Sequence, residues 1–197
     1  NDRLIAAQVL PDAKVQIGAV FIGKVKNVVK NIDACFVEIA NRELCFLPMK
    51  EAGTPCLFNR NFDGRILEGD ELLVQVTREA QKTKQASVTA QVSLSNEYVA
   101  ISLGSPKVGY SNKLSKEERG RIEQLLIKEK LLEGKNFRQF LGLPSVGLVI
   151  RTQAGTCTEE KLLEKCRVLV EEFECLLREA AHRTCYSCMK EAANSFE

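Results

Sequence analysis

The feature that most narrows the folds open to this sequence is a change of hydrophobic period near Leu94. Before it, apolar residues come in short runs rich in Val, Ile and Phe: Val20 to Val29, Ala34 to Ile39, Leu44 to Pro48, Leu72 to Val76 and Ala86 to Val92. β-Branched and aromatic side chains suit a pleated, half-buried surface, so each run predicts a strand. A short turn at Asn41-Arg42 separates the second from the third, and a polar loop runs from Gly53 to Arg65. Five strands within about 75 residues predict a small closed barrel over residues 18–94.

Beyond Leu94 the period becomes helical. Ser115-Lys116-Glu117-Glu118 is a capping box, in which hydroxyl and carboxylate satisfy orphan amides at a helix start; a helix to about Leu132 should follow. Gly147 to Thr152 reads as a buried strand with a polar end. From Glu159, residues Leu162, Cys166, Leu169, Phe173, Leu176 and Ala180 recur every three or four positions and predict a long amphipathic helix. With a strand near Tyr98 to Ile101 these elements make a small α/β unit. The run Arg3 to Val9, interrupted by Leu10-Pro11-Asp12-Ala13, could complete its sheet. The expected class is therefore α+β in two parts, a barrel set into a small α/β unit.

A chain of 197 residues has room for one large or two small domains, and 45% hydrophobic with 27% charged residues excludes a disordered chain. No stretch approaches the roughly 20 apolar residues of a membrane-spanning helix, and Asn1-Asp2-Arg3 lacks the basic-then-apolar order of a signal peptide. A cytoplasmic protein is expected. The absence of an initial Met suggests a piece of a longer protein. Net charge is only +2, but it is uneven: residues 105–151 hold ten Lys and Arg against five acids, whereas residues 156–197 hold six against nine. A basic middle third is a footprint for an anionic polymer, or simply a solvated helix face.

Catalytic chemistry is poorly represented. Any triad must use His182, the sole histidine, which falls in a helical context. The five aspartates, Asp2, Asp12, Asp33, Asp63 and Asp70, include no close pair among the strands, so metal-assisted phosphoryl chemistry has no evident carboxylates. The phosphate-cradling Gly-x-x-x-x-Gly-Lys-Ser/Thr does not occur. The eight cysteines are expected as reduced thiols in a chain this size. Cys185-x-x-Cys188 with His182 is half a zinc site that needs a further ligand; the plainer reading is cysteines on a helix face.

Binding chemistry is better represented. Phe36 and Phe46 fall on adjacent strands of the predicted barrel, with Lys24, Lys26 and Lys84 close in the sheet order. Outward rings among lysines supply what single-stranded nucleic acid needs, a π-face for each base and cations for the phosphates. Spacing alone leaves it open whether both rings point outward or into the core.

Several segments taken in order carry a resemblance. Gly23-Lys24-Val25, Ala34 to Ile39, Cys45-Phe46-Leu47-Pro48-Met49-Lys50-Glu51, Glu68-Gly69-Asp70 and Lys84 to Thr89 resemble the S1 RNA-binding domain of the ribonuclease E/G family of endoribonucleases. Ser93-Leu94, Pro106 to Ser111 and Gly147 to Thr152 resemble that family's ribonuclease-H-like region, into which the S1 domain, an OB-fold barrel, is inserted. The similarity runs through nearly the whole chain.

The resemblance implies an OB-type barrel at 18–94, with residues 1–17 and 95–197 forming the ribonuclease-H-like subdomain. It implies that Phe36, Phe46 and Lys84 contact RNA, and that Arg151 and Thr152, with Lys113 as a basic helper, recognise a 5′-monophosphate end. A guanidinium fork matches a phosphate bidentately and a hydroxyl adds a neutral donor. Without the resemblance, Arg151 reads equally as a strand-end residue in a surface salt bridge. Asn96 stands where the family usually has glycine, which should hinder backbone approach to the RNA end, and Gln85 replaces a glycine beside Lys84, which should stiffen that loop.

The family's deoxyribonuclease-I-like domain, which carries magnesium-binding carboxylates, should begin near Phe196, and its zinc-linking cysteines lie further on; Cys185 to Cys188 is not that motif. No metal or other cofactor is expected in this piece. It should bind single-stranded RNA in a salt-dependent way without cutting it, and any oligomer should form through other parts of the parent. The alternatives are a stand-alone S1-type RNA-binding module regulating translation, and an interaction protein that docks a partner on its C-terminal helix.

Overall fold

The computed structural model describes residues 15–104, 108–129 and 146–192. The expected strand from Arg3 to Val9 and the positions near Phe196 lie outside these residues, as do Pro106 and Lys107. Strands β1 (Val20–Val29), β2 (Ala34–Glu38), β3 (Leu44–Pro48), β4 (Glu71–Arg78) and β5 (Ser87–Thr89) follow one another along the sequence. They form a sheet in the order β1-β2-β3-β5-β4 that closes through β1–β4 pairing, the five-stranded barrel of an OB-fold. All pairings in it are antiparallel except β3 with β5.

Closure depends on β1 serving two neighbours. Residues from Val20 to Lys24 pair with β4, and those from Lys24 to Val29 pair with β2, with a bulge between Val25 and Asn27. Gly23 sits at this crossing. A Cβ there would lie 2.5 Å from Val37 Cγ1 and 3.0 Å from the Glu38 carbonyl oxygen, so only glycine lets the strands approach this closely.

The second part is a four-stranded sheet in the order β6-β7-β9-β8, from β6 (Ser93–Ser95), β7 (Val99–Leu103), β8 (Val108–Tyr110) and β9 (Val146–Ile150). β8 runs parallel to β9 and the other pairs are antiparallel. Helices α1 (Lys116–Lys128) and α2 (Glu159–Ala180) pack with it. The capping box forms as the sequence predicts, Ser115 accepting from the Glu118 amide and the Glu118 carboxylate from the Ser115 amide. α2 buries all six residues of its expected apolar stripe. No described helix is long and apolar enough to cross a membrane.

Both faces of β1 are buried. Phe21 and Val25 point into the barrel with Val37, Leu47 and Val74, whereas Val20 and Ile22, with Leu73 of β4, join Ile101, Ile150 and Phe173 in the core of the second part. The runs Val20-Phe21-Ile22 and Leu72-Leu73-Val74 are continuously apolar for this reason.

The turn expected at Asn41-Arg42 forms, as a 3-10 turn in which both residues have positive φ, 58° and 60°. Three details differ from the sequence reading. β5 stops at Thr89, and β6 pairs with β7, so the second sheet begins at Ser93, inside the 18–94 stretch. α1 ends at Lys128, short of Leu132. Cys185 and Cys188 are not on a helix face: α2 ends at Ala180, and the chain turns back so that β10 (Cys188–Lys190) pairs with β1. Ile22 accepts from the Tyr186 amide at 2.8 Å and donates to the Ser187 carbonyl at 3.0 Å. This strand covers the edge of β1 that β2 leaves open, a non-local pairing with no mark in the local period.

One ion pair organises the polar loop between β3 and β4. Arg60 donates from Nε to Asp70 Oδ1 at 2.6 Å and from Nη2 to Oδ2 at 2.7 Å, while Oδ2 also accepts from the Leu67 amide at 2.7 Å. Asp70 is only 2% exposed, and its carbonyl accepts from the Val25 amide at 2.8 Å, tying the loop to β1. Removing this carboxylate strands a guanidinium and an amide. Asp70→Ala should lower stability by about 2–3 kcal/mol in urea unfolding followed by circular dichroism; an unchanged midpoint would contradict this role.

Candidate nucleic-acid interface

Alternation along β2 and β3 decides where the two phenylalanines point. Cys35 and Val37 of β2, and Cys45 and Leu47 of β3, are fully buried in the barrel. Side chains alternate across a strand, so Phe36 and Phe46 face outward, and both are half-buried. They are directly opposite one another in the antiparallel register, with ring centroids 5.8 Å apart and planes tilted by 60°. Such a pair forms an apolar step on the barrel wall with its remaining ring surface open.

A cleft of about 510 Å³ runs over this step, lined by both rings together with Lys50, Thr77, Arg78 and Lys84. Ser87 pairs in parallel with Phe46, which lays the β4–β5 hairpin beside β3. Gln81 and Lys84 close that hairpin by exchanging backbone hydrogen bonds of 2.9 and 2.7 Å, and Lys82 takes φ 45° in its tip. Lys84 thereby arrives beside the rings, with Gln85 also in the lining. Among the described residues, no ion pair holds Lys50, Arg78 or Lys84. Glu51 is the single carboxylate of the lining, so positive charge predominates.

Lys24 and Lys26 are not part of this cleft. Lys24 Nζ lies 3.3 Å from Glu71 Oε1 and Lys26 Nζ lies 3.3 Å from Glu38 Oε2, so both charges are compensated across the strands. The Tyr186 hydroxyl bonds Glu38 as well, and with Lys26 it holds that carboxyl below the usual carboxylate range. The same bond pushes the Tyr186 hydroxyl up to about 12. This cluster fastens the segment after α2 to the barrel instead of offering free cations. Sequence reasoning placed the two lysines near the rings correctly in strand order but had no view of their acidic partners.

Conversely, Lys50 and Arg78 were missed as lining residues. Their signal was positional: Lys50 follows the end of β3 and Arg78 ends β4, the two strands that flank β5.

The second candidate group lies where the parallel strands β8 and β9 end together, a common place for ligand-binding loops in parallel sheets. Ser111 and Thr152, one in each following loop, share a 2.8 Å hydroxyl–hydroxyl hydrogen bond, and the Lys113 amide donates to Ser111 Oγ at 3.3 Å. Arg151 is exposed at the start of a 3-10 turn, Thr152–Gly155. Its Nη1 donates to the Asn96 carbonyl at 2.7 Å, so within the described residues it is held by a backbone oxygen rather than by a carboxylate. Asn96 turns its side chain to its own hairpin and to α2: Oδ1 accepts from the Tyr98 and Val99 amides at 3.0 Å each, and Nδ2 donates to the Lys165 carbonyl at 3.0 Å. Arg151, Thr152 and Lys113 are thus brought to one end of the sheet, and Ser111 joins them as a hydroxyl that the sequence reading did not single out.

Among the described residues, no group of three or more His, Cys, Asp and Glu side chains is placed to hold a metal ion. His182, Cys185 and Cys188 form no such group, and burial raises both thiols above their ordinary range.

No family model matches the chain. Individual proteins do. Ribonuclease E of Nostoc sp. is 30% identical over 170 residues, 84% of this chain and 23% of the relative. Ribonuclease E of Haemophilus influenzae is 27% identical over 172 residues, 83% of the chain and 17% of the relative. Ribonuclease G of Salmonella typhimurium is 26% identical over 156 residues, 73% of the chain and 29% of the relative. This chain belongs to the ribonuclease E/G family. It spans between about one-sixth and three-tenths of the length of these relatives. Within this family member a closed barrel and a second sheet each carry one of the two groups described above.

Proposed function

We propose that this chain is the RNA-gripping, 5′-end-sensing part of a ribonuclease E/G-like endoribonuclease that acts in RNA processing and decay. The observation that carries this reading is the outward pair Phe36 and Phe46, opposed in register and flanked in one cleft by Lys50, Arg78 and Lys84. Bases of single-stranded RNA stack on the rings while the three cations follow the phosphates, a sequence-tolerant mode of binding that salt weakens. In this reading the barrel is an S1-type domain and the second part is a ribonuclease-H-like subdomain.

Thr152 with Ser111, and Arg151 beside Lys113, form the receptor for a 5′-monophosphate. The two hydroxyls offer neutral donors, and the Arg151 fork exchanges its Asn96 carbonyl for phosphate oxygens. Hydrolysis itself, and the magnesium that supports it, we assign to other parts of the longer enzyme. The basic bias of residues 105–151 in the sequence fits an anionic polymer as ligand.

Three substitutions test the two halves separately. Phe36→Ala and Phe46→Ala should each weaken binding of a 5′-hydroxyl oligoribonucleotide by ~1–3 kcal/mol in fluorescence anisotropy; unchanged affinity in both variants would remove the stacking surface. Arg151→Ala should abolish the preference for 5′-monophosphorylated over 5′-hydroxyl RNA and leave 5′-hydroxyl binding intact. A wild-type protein that shows no preference would remove the sensor.

A further inference from the structure

The first turns of α1 grip both loops that bear the proposed phosphate ligands. Arg119 Nη2 donates to the Ser111 carbonyl at 2.9 Å, and Arg121 Nη2 donates to the Gly155 carbonyl at 2.9 Å. Just before them in the sequence stands the capping carboxylate: Glu118 Oε2 accepts from the Ser115 amide at 2.7 Å, and the rest of that carboxylate lies directly over Gly155. A Cβ at residue 155 would run into Glu118 Oε1, and it would sit 2.8 Å from Glu118 Cδ and 2.8 Å from Leu114 Cδ2. The Glu118 side chain has no freedom to swing aside without releasing the Ser115 amide. Either the helix cap breaks or the turn moves away.

Gly155 ends the 3-10 turn that Thr152 begins, and Ala154 within it is fully buried. A displacement at Gly155 is therefore passed along a short, anchored turn to Thr152 and Arg151. On the opposite side of the group, Ser111 is fixed by Arg119 and by the Leu114 amide, which donates to its carbonyl at 3.1 Å. α1 thus bridges the two loops, which Ser111 also joins directly, its amide donating to the Ile150 carbonyl at 2.8 Å and its hydroxyl bonding Thr152.

We infer that Gly155 is a positioning residue for 5′-end recognition, its missing Cβ allowing the capped start of α1 to close onto the Thr152–Gly155 turn and fix the spacing of Arg151 and Thr152 relative to Ser111 and Lys113. Arg121 acts in the same way from outside, through the Gly155 carbonyl. Neither residue touches the phosphate. Directional hydrogen bonds to an anion tolerate errors of only about 0.5 Å, so a shift of one loop by the width of a methyl group misaligns the set. This inference rests on the sensor reading above and extends it to residues that lie outside the group contacting the phosphate.

The test compares this chain with its Gly155→Ala and Arg121→Ala variants, using one oligoribonucleotide prepared with a 5′-monophosphate and with a 5′-hydroxyl. Arg121→Ala removes a single bond from an exposed helix face, so it keeps the comparison valid if Gly155→Ala proves unstable. The expected result is that the monophosphate-to-hydroxyl affinity ratio falls toward the value of Arg151→Ala while 5′-hydroxyl affinity and the melting temperature of Arg121→Ala stay at wild-type values. The inference is overturned if both variants keep the wild-type ratio while Arg151→Ala lowers it, or if hydroxyl and monophosphate affinities fall in step. A wild-type ratio near one would overturn it together with the sensor itself.

Discussion

The structure depends on the parity of two short strands. β2 and β3 each place two small or branched side chains into the barrel, Cys35 and Val37 in one and Cys45 and Leu47 in the other. A slip of a single residue in either would turn every side chain to the opposite face. The barrel cannot accept Phe36 and Phe46 inside as well, since Phe21, Ile39 and Leu72 already fill it to full burial. The outward rings are thus a consequence of how the core is filled, and the cleft wall inherits the rigidity of the barrel beneath it.

The rest of the barrel wall is not free in the same way. Val20 and Ile22 of β1 and Leu73 of β4 leave the barrel and enter the core built by the second sheet and α2, and β10 closes the remaining edge of β1. The ion pairs of Lys24 and Lys26, with Tyr186 on Glu38, fasten the same side. What remains open is the wall formed by β2, β3 and the β4–β5 hairpin, where the rings and the unpaired cations lie. β1 and β4, which give side chains to both cores, therefore tie the cleft and the loops after β8 and β9 into a single framework.

Much of this architecture was legible in the sequence because it rests on local signals. Runs of β-branched residues marked the barrel strands, the Ser115–Glu118 box marked the start of α1, and the spacing from Leu162 to Ala180 marked the buried stripe of α2. Whether Phe36 and Phe46 point outward or into the core was open until the burial of their neighbours was known, because a half-buried strand carries aromatics on either face. Features without local marks were lost. β10 pairs across the whole chain to β1, and its cysteines read as helical only because the preceding helix set the expectation. Lys24 and Lys26 looked free because Glu71 and Glu38 come beside them only through strand pairing. Gly155 showed nothing at all, since the crowding that leaves no room for a Cβ there is defined only by the packing of α1.

The most direct measurement of the central claim is photo-crosslinking. An oligoribonucleotide carrying 4-thiouridine at every position would be irradiated with the protein and the adducts located by mass spectrometry. Adducts concentrated on the wall formed by residues 34–50 and 77–87 are the predicted result. Adducts confined to α2 or to the Lys24–Glu71 side, with the Phe36 and Phe46 peptides unmodified, would contradict it.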